Sequence, residues 1–311
     1  MHVPVLADAV LDWLNVQPGG TYVDCTVGAG GHASLIAARL TQGRLIGLDR
    51  DPSAIALARE QLRHYPFVTL LHRNYGDLRR VLAELDIVQV DGILIDAGVS
   101  SMQIDDPARG FSFQATGPLD MRMDSTGQTS AADYLARVSE EELTRTLRTY
   151  GDIGPARRIA AAIVRRRLKG TLQTTHDLGE AVGEGLGLVR RRPEEVRTVF
   201  QAIRIAVNEE YRWLEEGLEQ AIDALAPGGR IVAIAFHSGE DRIVKNRFRA
   251  AARPVREYAP DGRLQRERPA RAAEEPPRDD RVVRGGRRRL PRLEPGGRGL
   301  RHPDRIDGPD P

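Results

Sequence analysis

The first hundred residues alternate between short apolar runs and segments with helical spacing, and this alternation restricts the fold more than any other feature. Helical spacing marks residues 5–14 and 32–40, and a third helix is predicted to begin at Pro52 with Asp51 as its N-cap. Strands that alternate with helices build parallel sheets covered on both faces. We therefore predict an α/β, Rossmann-like fold with a doubly wound, mostly parallel sheet. The predicted strands cover residues 21–25, 44–49, 68–72 and 92–96.

The alternation stops after the fourth strand and resumes much later. Strand character returns at residues 230–236, after a helix stop and turn at 226–229. Near the end the chain becomes rich in Arg, Pro and Gly, and ten of its 19 prolines lie after residue 250. Such a composition is typical of disorder. The predicted units are a split domain of residues 1–105 and 200–252, a helical insertion of residues 106–199 and a disordered tail of residues 253–311.

Charge and cysteine content exclude several classes of protein. Lysine and arginine number 46 against 44 acidic residues, a net charge of +2, so any surface that binds nucleic acid must be local. Cys25 is the single cysteine, which excludes a disulfide within the chain, and no Cys/His cluster with metal-ligand spacing is evident. No apolar run approaches the ~20 residues that cross a bilayer, and the N-terminus has no signal-peptide pattern. We expect a cytoplasmic protein without a bound metal or a membrane contact.

A glycine-rich turn follows the first strand. Gly28, Gly30 and Gly31 lie just before the next helix, where glycine allows positive φ and lets backbone N–H groups approach a ligand. The second strand ends at Asp49, where a carboxylate can accept both hydroxyls of a ribose. Turn and acid together predict a ligand that contains adenosine. They do not distinguish NAD from S-adenosylmethionine.

A polar loop follows the fourth strand. Asp96 ends the strand, and Gly98, Ser100 and Ser101 come after it. Parallel sheets bind ligands at the carboxyl ends of their strands, so this loop is expected beside the reactive group of the ligand. Ser100 and Ser101 are also good N-cap residues, and a capped turn without a ligand is the simpler alternative.

These segments and several later ones carry a family resemblance. Together they run in order from His2 to about Phe248, over about four-fifths of the chain. The chain resembles the bacterial 16S rRNA (cytosine-N4)-methyltransferases, the MraW or RsmH type. The matching segments include residues 28–32, 48–52, 96–103, 109–113, 118–124, 200–208 and 237–245.

The resemblance implies a class I methyltransferase fold with S-adenosylmethionine as its cofactor. It places a group of residues from the glycine turn at the methionine end of the pocket, Asp49 at the ribose and Tyr75 at the adenine. An ordinary core position is the alternative for Tyr75. The cofactor residues that the resemblance implies are Gly30, Gly31, His32, Asp49, Tyr75, Asp96 and Gln103.

The chain also departs from the family pattern. Ala97 stands where Leu is common, Met102 where Pro is common and Gly239 where Leu is common. These changes are small and lie beside unchanged polar residues. The basic Asn-Pro-Arg-Ala-Arg-Ser-type segment near the family's C-terminus has no counterpart here, which leaves open whether the C-terminus contacts RNA.

The reaction that the resemblance implies is methylation of the N4 amino group of a cytidine in small-subunit ribosomal RNA, near the decoding region. The N4 lone pair is delocalised into the ring, so catalysis depends on positioning and on acceptors near the amino group. We assign the catalytic role to Asp96 and to His237, which follows the fifth strand. A histidine that is simply hydrogen-bonded there is an equal alternative. The target base must leave its stack to reach the pocket.

The expected partner is small-subunit ribosomal RNA, free or in the assembled small subunit, and a homodimer is compatible with the sequence. We interpret the insertion as the part that reads RNA, although a solvated charged face is the usual role of such a run. Arg109 and Phe111 are interpreted as a substrate lid. The basic residues of the insertion are Arg157, Arg158, Arg165, Arg166, Arg167 and Lys169, with a basic turn at 190–192.

Two other functions remain open on the sequence. The glycine turn and Asp49 also suit an NAD-dependent oxidoreductase, but the chain has no Tyr-x-x-x-Lys pair of the kind expected for such an enzyme. A non-catalytic RNA-binding or ribosome assembly factor with a degenerate pocket is the second alternative. The complete acid set of Asp24, Asp49 and Asp96 argues against degeneration.

Overall fold

A five-stranded parallel sheet forms the centre of the split domain, in the strand order β3-β2-β1-β4-β5. The computed structural model describes residues 4–127, 129–187, 193–258 and 264–268. The prediction of a doubly wound, Rossmann-like sheet is confirmed. The strands are β1 (Thr21–Asp24), β2 (Arg44–Asp49), β3 (Val68–His72), β4 (Val90–Asp96) and β5 (Leu225–Ile234).

Helices cover both faces of this sheet because its strands are apolar on both sides. Tyr22, Leu45 and Leu94 point to a core shared with the first three helices. Their neighbours Val23 and Ile46 point to the opposite face. The helices are α1 (Ala7–Leu14), α2 (Gly31–Ala37), α3 (Pro52–Leu62), α4 (Leu78–Glu84), α5 (Ser101–Asp105), α6 (Ala131–Arg137), α7 (Glu140–Gly151), α8 (Ala156–Leu168), α9 (Thr175–Leu186), α10 (Pro193–Asn208), α11 (Glu210–Ala224) and α12 (Ser238–Ala251).

The insertion is helical and has a hydrophobic core of its own. Helices α6 to α10 contribute to this core, and Leu119 and Met121 from the preceding loop are buried in it. Phe200 and Ile203 of α10 also pack there. Helix α10 therefore crosses the boundary at 199/200 that we proposed from the sequence, and it connects the insertion directly to α11.

Strand β5 and the start of the tail differ most from the sequence prediction. Strand β5 begins at Leu225, not at 230, because the segment expected to be a turn is an irregularity inside the strand. Its register shifts between Val90 and Gly92 of β4, and Gly228 has φ of 84°. Part of the segment predicted as a disordered tail forms an antiparallel pair, β6 (Val255–Tyr258) and β7 (Leu264–Arg268). Residues 259–263 and 269–311 of that tail lie outside the described residues.

In the part of the chain that the structure describes, no helix combines the length and the apolar character needed to cross a bilayer.

Candidate functional site

A cavity of about 520 Å³ opens at the carboxyl ends of the central strands. It lies where the strand order reverses between β1 and β4, the usual ligand position in such sheets. Gly30 is not one of its lining residues; it precedes α2 with φ of 93°, and a Cβ there would lie 3.3 Å from Gln61 Cγ. The predicted residues that line the cavity are Gly31, His32, Asp49, Tyr75, Asp96, Gln103 and His237.

Asp49 connects the end of β2 to the glycine turn. Its Oδ2 accepts a hydrogen bond from the Gly28 N–H at 2.9 Å, and its Oδ1 accepts one from the Asp51 N–H at 2.8 Å. Burial raises the pKa of Asp49 to about 6, although these backbone bonds oppose the shift. A carboxylate has about four lone-pair positions, so Asp49 can still accept two hydroxyls.

Asp51 joins three parts of the site. Its Oδ1 accepts from the Ser53 N–H at 2.9 Å, which confirms the predicted N-cap of α3. Its Oδ2 accepts from Gln103 Nε2 at 2.8 Å and from Arg109 Nη1 at 2.7 Å. Burial opposes ionisation of Asp51, but the bonds from Arg109 and Gln103 outweigh it and hold its pKa below the usual range. The Asp51 carboxylate thus fixes the loop after β4 against α3.

Gln103 and Arg109 hold the walls of the cavity in place. Gln103 forms a reciprocal capping box with Ser100, and its amide nitrogen donates to Asp51. Arg109 Nη2 donates to the carbonyls of Arg122 and Met123 at 2.8 and 2.9 Å. The loop is therefore both a capped turn and part of the cavity wall. The proposed lid residue Arg109 is attached at three points to the structure around it.

His32 is buried between the N-terminal segment and the end of β4. Its Nε2 lies 2.8 Å from the Val5 carbonyl, and its Nδ1 lies 3.8 Å from Asp96 Oδ2. A ring with its proton on Nε2 donates to the Val5 carbonyl. His32 therefore fixes Val5, which together with Pro4 lines the cavity.

Two acids at the strand ends have unsatisfied oxygens. Asp24 Oδ2 and Asp96 Oδ1 are buried and have no hydrogen-bond partner among the described residues. Burial raises the pKa of each to about 7; for Asp96, His32 opposes the shift, while Asp24 and Glu240 add to it. Buried polar atoms without partners are rare in folded proteins, and Asp96 faces the cavity. The Asp96 side chain is 22% exposed, so its carboxylate can accept a hydrogen bond from a ligand in the cavity.

His237 and Glu240 form a second polar group in the cavity wall. His237 Nδ1 accepts the Glu240 N–H at 3.4 Å as the N-cap of α12, so a neutral ring carries its proton on Nε2. Nε2 lies 3.0 Å from Glu240 Oε1, but the two atoms are not aligned for a hydrogen bond. Glu240 is 2% exposed, and its Oε2 accepts the Phe236 N–H at 2.8 Å. Burial works against its ionisation, but His237 and Phe236 outweigh it and hold its pKa below the usual range.

Sequence reasoning missed Glu240 and the ion pair of Arg204 with Glu210, all of which line the cavity. Arg204 donates from Nε and Nη2 to the two Glu210 oxygens at 2.8 and 2.9 Å. The sequence did contain a signal for Glu240, because it is an acid three residues after a histidine at the end of a predicted strand. The sequence held no local signal for the role of Arg204, because its partner lies across the junction of α10 and α11.

Comparison with known proteins decides the family. A model of the MraW methylase family matches residues 1–271. The chain belongs to the MraW methylase family. Two relatives are each named "Ribosomal RNA small subunit methyltransferase H". The Syntrophotalea carbinolica protein is 49% identical over 253 residues, 80% of this chain and 81% of that protein. The Pelobacter propionicus protein is 45% identical over 256 residues, 81% and 82% of the two chains.

One position at which this MraW methylase differs from the usual family residue has a structural explanation. Gly239, where Leu is common, packs directly against Tyr211, and a Cβ at Gly239 would overlap the tyrosine hydroxyl. Tyr211 also lies beside His237, with ring centroids 5.8 Å apart. The tyrosine ring therefore occupies the space of the missing side chain and supports the cavity wall.

The basic helix of the insertion is only partly free to bind RNA. Arg166 pairs with Glu184, and Arg167 donates to the carbonyls of Leu135 and Val138. These two side chains therefore hold the insertion together. The basic turn at 190–192 lies outside the described residues. The basic residues of α8 and its C-cap that remain exposed are Arg157, Arg158, Arg165 and Lys169.

Proposed function

We propose that this chain transfers a methyl group from S-adenosylmethionine to the N4 amino group of a cytidine in small-subunit ribosomal RNA. The observation that carries the proposal is the cavity that Asp49 and Asp96 both line, in a chain of the MraW methylase family. The names of its relatives support ribosomal RNA as the substrate. We place the reaction in the cytoplasm, and a homodimer stays a prediction.

The cavity residues fit the cofactor in size and chemistry. Its volume of about 520 Å³ lies in the ~300–1,000 Å³ range of small-molecule sites. Asp49 would hold the ribose, Tyr75 the adenine, and Gly31 and His32 the methionine end. Gln103 would act through Asp51 as a positioning residue, since its amide is already bonded. The bound cofactor supplies an electrophilic methyl group on a positively charged sulfur.

Asp96 is the proposed catalytic acceptor. Its carboxylate, on a side chain that lines the cavity and is 22% exposed, accepts a hydrogen bond from the N4 amino group, which localises the nitrogen lone pair. A pKa of about 7 lets the same carboxylate take the proton that the nitrogen loses. His237 is proposed to donate from Nε2 to an acceptor on the base, as a neutral ring whose Nδ1 accepts the Glu240 N–H.

Binding of S-adenosylmethionine is expected to strengthen as pH rises from about 6 to about 8. Burial raises the pKa of Asp24 and Asp96 to about 7, so both acids are largely neutral at the lower pH and ionised at the higher one. Ionised acids attract the sulfonium, whereas S-adenosylhomocysteine lacks this charge. Calorimetric Kd values at both pH values should therefore change more for S-adenosylmethionine. An equal change for the two ligands would contradict the assignment of these acids, and Asp96→Asn should reduce the difference.

The exposed arginines of α8 are proposed to contact the RNA. Arg158→Gln combined with Arg165→Gln is expected to raise KM for small-subunit RNA several-fold, with kcat and S-adenosylhomocysteine binding unchanged. The matched control is Arg166→Gln, which removes an arginine paired with Glu184 and should mainly lower stability. An unchanged KM in the double variant would mean that α8 is a solvated face.

A transfer assay tests the enzyme against the two alternatives. Labelled methyl groups from S-adenosylmethionine should enter RNA of purified small subunits, and Asp96→Asn should slow this incorporation strongly. No incorporation by the unaltered protein, despite binding to the subunit, would favour the non-catalytic assembly factor. A larger thermal shift with NAD than with S-adenosylhomocysteine would favour the oxidoreductase.

A further inference from the structure

Helix α12 presents a row of polar, mostly basic side chains that starts next to the cavity. The row consists of Arg242, Lys245, Asn246 and Arg249, at spacings of three, four and seven residues from its first member, and Arg253 follows just beyond the end of the helix. Such spacings lie on one face of a helix. All five residues are exposed, whereas Ile243 and Ala251 on the other side are buried.

Most of the positive charge of this row is not neutralised. Lys245 pairs with Asp241 at 2.8 Å. Among the residues that the structure describes, no ion pair involves Arg242, Arg249 or Arg253. Exposed arginines without a carboxylate partner can offer planar, bidentate contacts to phosphate groups.

The row begins beside the main cavity. His237 and Glu240, at the start of α12, line the main cavity, and Arg242 follows two residues later. Arg242 and Asn246 also line a second cleft of about 400 Å³ between α7, α11 and α12. Tyr211 separates the two spaces, because it lines the second cleft and its ring lies 5.8 Å from that of His237.

We propose that the exposed face of α12 and the adjoining cleft bind the sugar–phosphate backbone next to the target cytidine. Arg242 and Asn246 would hold the nucleotide nearest the cavity, and Arg249 and Arg253 the backbone beyond it. From Arg242 to Arg249 the row extends about 10 Å along the helix, enough for more than one phosphate. This surface lies outside the insertion and binds the strand whose base enters the cavity. The inference rests on the proposed function, since it takes RNA as the substrate.

The salt dependence of RNA binding tests this surface. The probe is small-subunit ribosomal RNA from cells that lack the protein, and its Kd is measured without cofactor over a series of KCl concentrations. Arg242→Gln combined with Arg249→Gln should raise the Kd several-fold. It should also reduce the slope of log Kd against log salt by about 1.4, because each lost phosphate contact on a single strand removes about 0.7.

A control with the same loss of charge separates local contact from net charge. Arg39 and Arg44 are exposed and lie at the opposite edge of the sheet from the cavity. The variant Arg39→Gln with Arg44→Gln should leave the slope unchanged. Equal slopes for the α12 variant and the unaltered protein, or equal reductions in both double variants, would overturn the inference.

Measurements of stability and of cofactor binding separate a loss of RNA contact from a loss of folding. The α12 variant should keep the thermal midpoint of the unaltered protein and its Kd for S-adenosylhomocysteine, because its two arginines are exposed. If the unaltered protein does not methylate small-subunit RNA, the proposed function fails. If it does and the α12 variant binds RNA with an unchanged slope, only the inference about α12 fails.

Discussion

Asp49→Ala is expected to weaken the binding of S-adenosylhomocysteine by about 100-fold or more. The variant removes the acceptor proposed for two ribose hydroxyls, and a hydrogen bond to a charged group contributes about 1.5–3 kcal/mol. Two such bonds account for at least about 3 kcal/mol, and each 1.4 kcal/mol is about tenfold in Kd. Titration calorimetry with the cofactor product measures this directly.

A second variant is needed because Asp49 also supports the glycine turn. Asp49 also accepts the N–H groups of Gly28 and Asp51, so alanine could loosen the turn as well as remove the ribose contact. Asp49→Asn keeps one acceptor oxygen and should bind with intermediate affinity. Asp91→Ala, which removes an acid at the opposite end of the sheet, should leave the Kd unchanged. Full affinity in Asp49→Ala would show that the ribose site is elsewhere.

Arg204→Met is expected to lower the free energy of unfolding by about 3–5 kcal/mol, the usual cost of breaking a buried ion pair. The cost arises because Glu210, which is 7% exposed, would keep its charge without the two bonds from Arg204. Denaturation by urea, monitored by circular dichroism, gives the change. Arg204→Met combined with Glu210→Leu should recover much of the loss, since no uncompensated charge remains.

An exposed pair on the same helix provides the comparison. Arg197 and Glu194 also form an ion pair on α10, but both side chains are more than half exposed. Arg197→Met should therefore cost less than about 1 kcal/mol. A similar small cost for Arg204→Met would mean that the buried pair does not stabilise the junction between the insertion and the sheet.

The strands and the positions of the acids at their carboxyl ends could be predicted because their signals are local. Apolar runs that end in Asp49 or Asp96 fix both the element and the edge of the sheet at which the acid lies. The N-cap role of Asp51 followed from the adjacent Pro52. These inferences needed only the residues within one turn or strand and the rule that parallel strands place their carboxyl ends together.

The connections between distant segments could not be predicted in the same way. The bond from Arg109 to Asp51 spans 58 residues, and nothing near either residue indicates the other. The role of the basic residues of α8 was only partly predicted for a related reason. Composition did not reveal that Arg166 pairs with an acid of the insertion or that Arg167 donates to its backbone carbonyls. Strand β5 began early because sheet pairing to β4 outweighed the turn propensity of Pro227 and its glycines.

Identifying the atom that receives the methyl group tests the proposed reaction most directly. Small subunits from cells that lack the protein would be incubated with the purified chain and S-adenosylmethionine, and the digested RNA analysed by mass spectrometry. N4-methylcytidine is expected at a defined site, and much less of it with Asp96→Asn. Methylation at another atom or another base, or unchanged RNA, would contradict the proposed reaction.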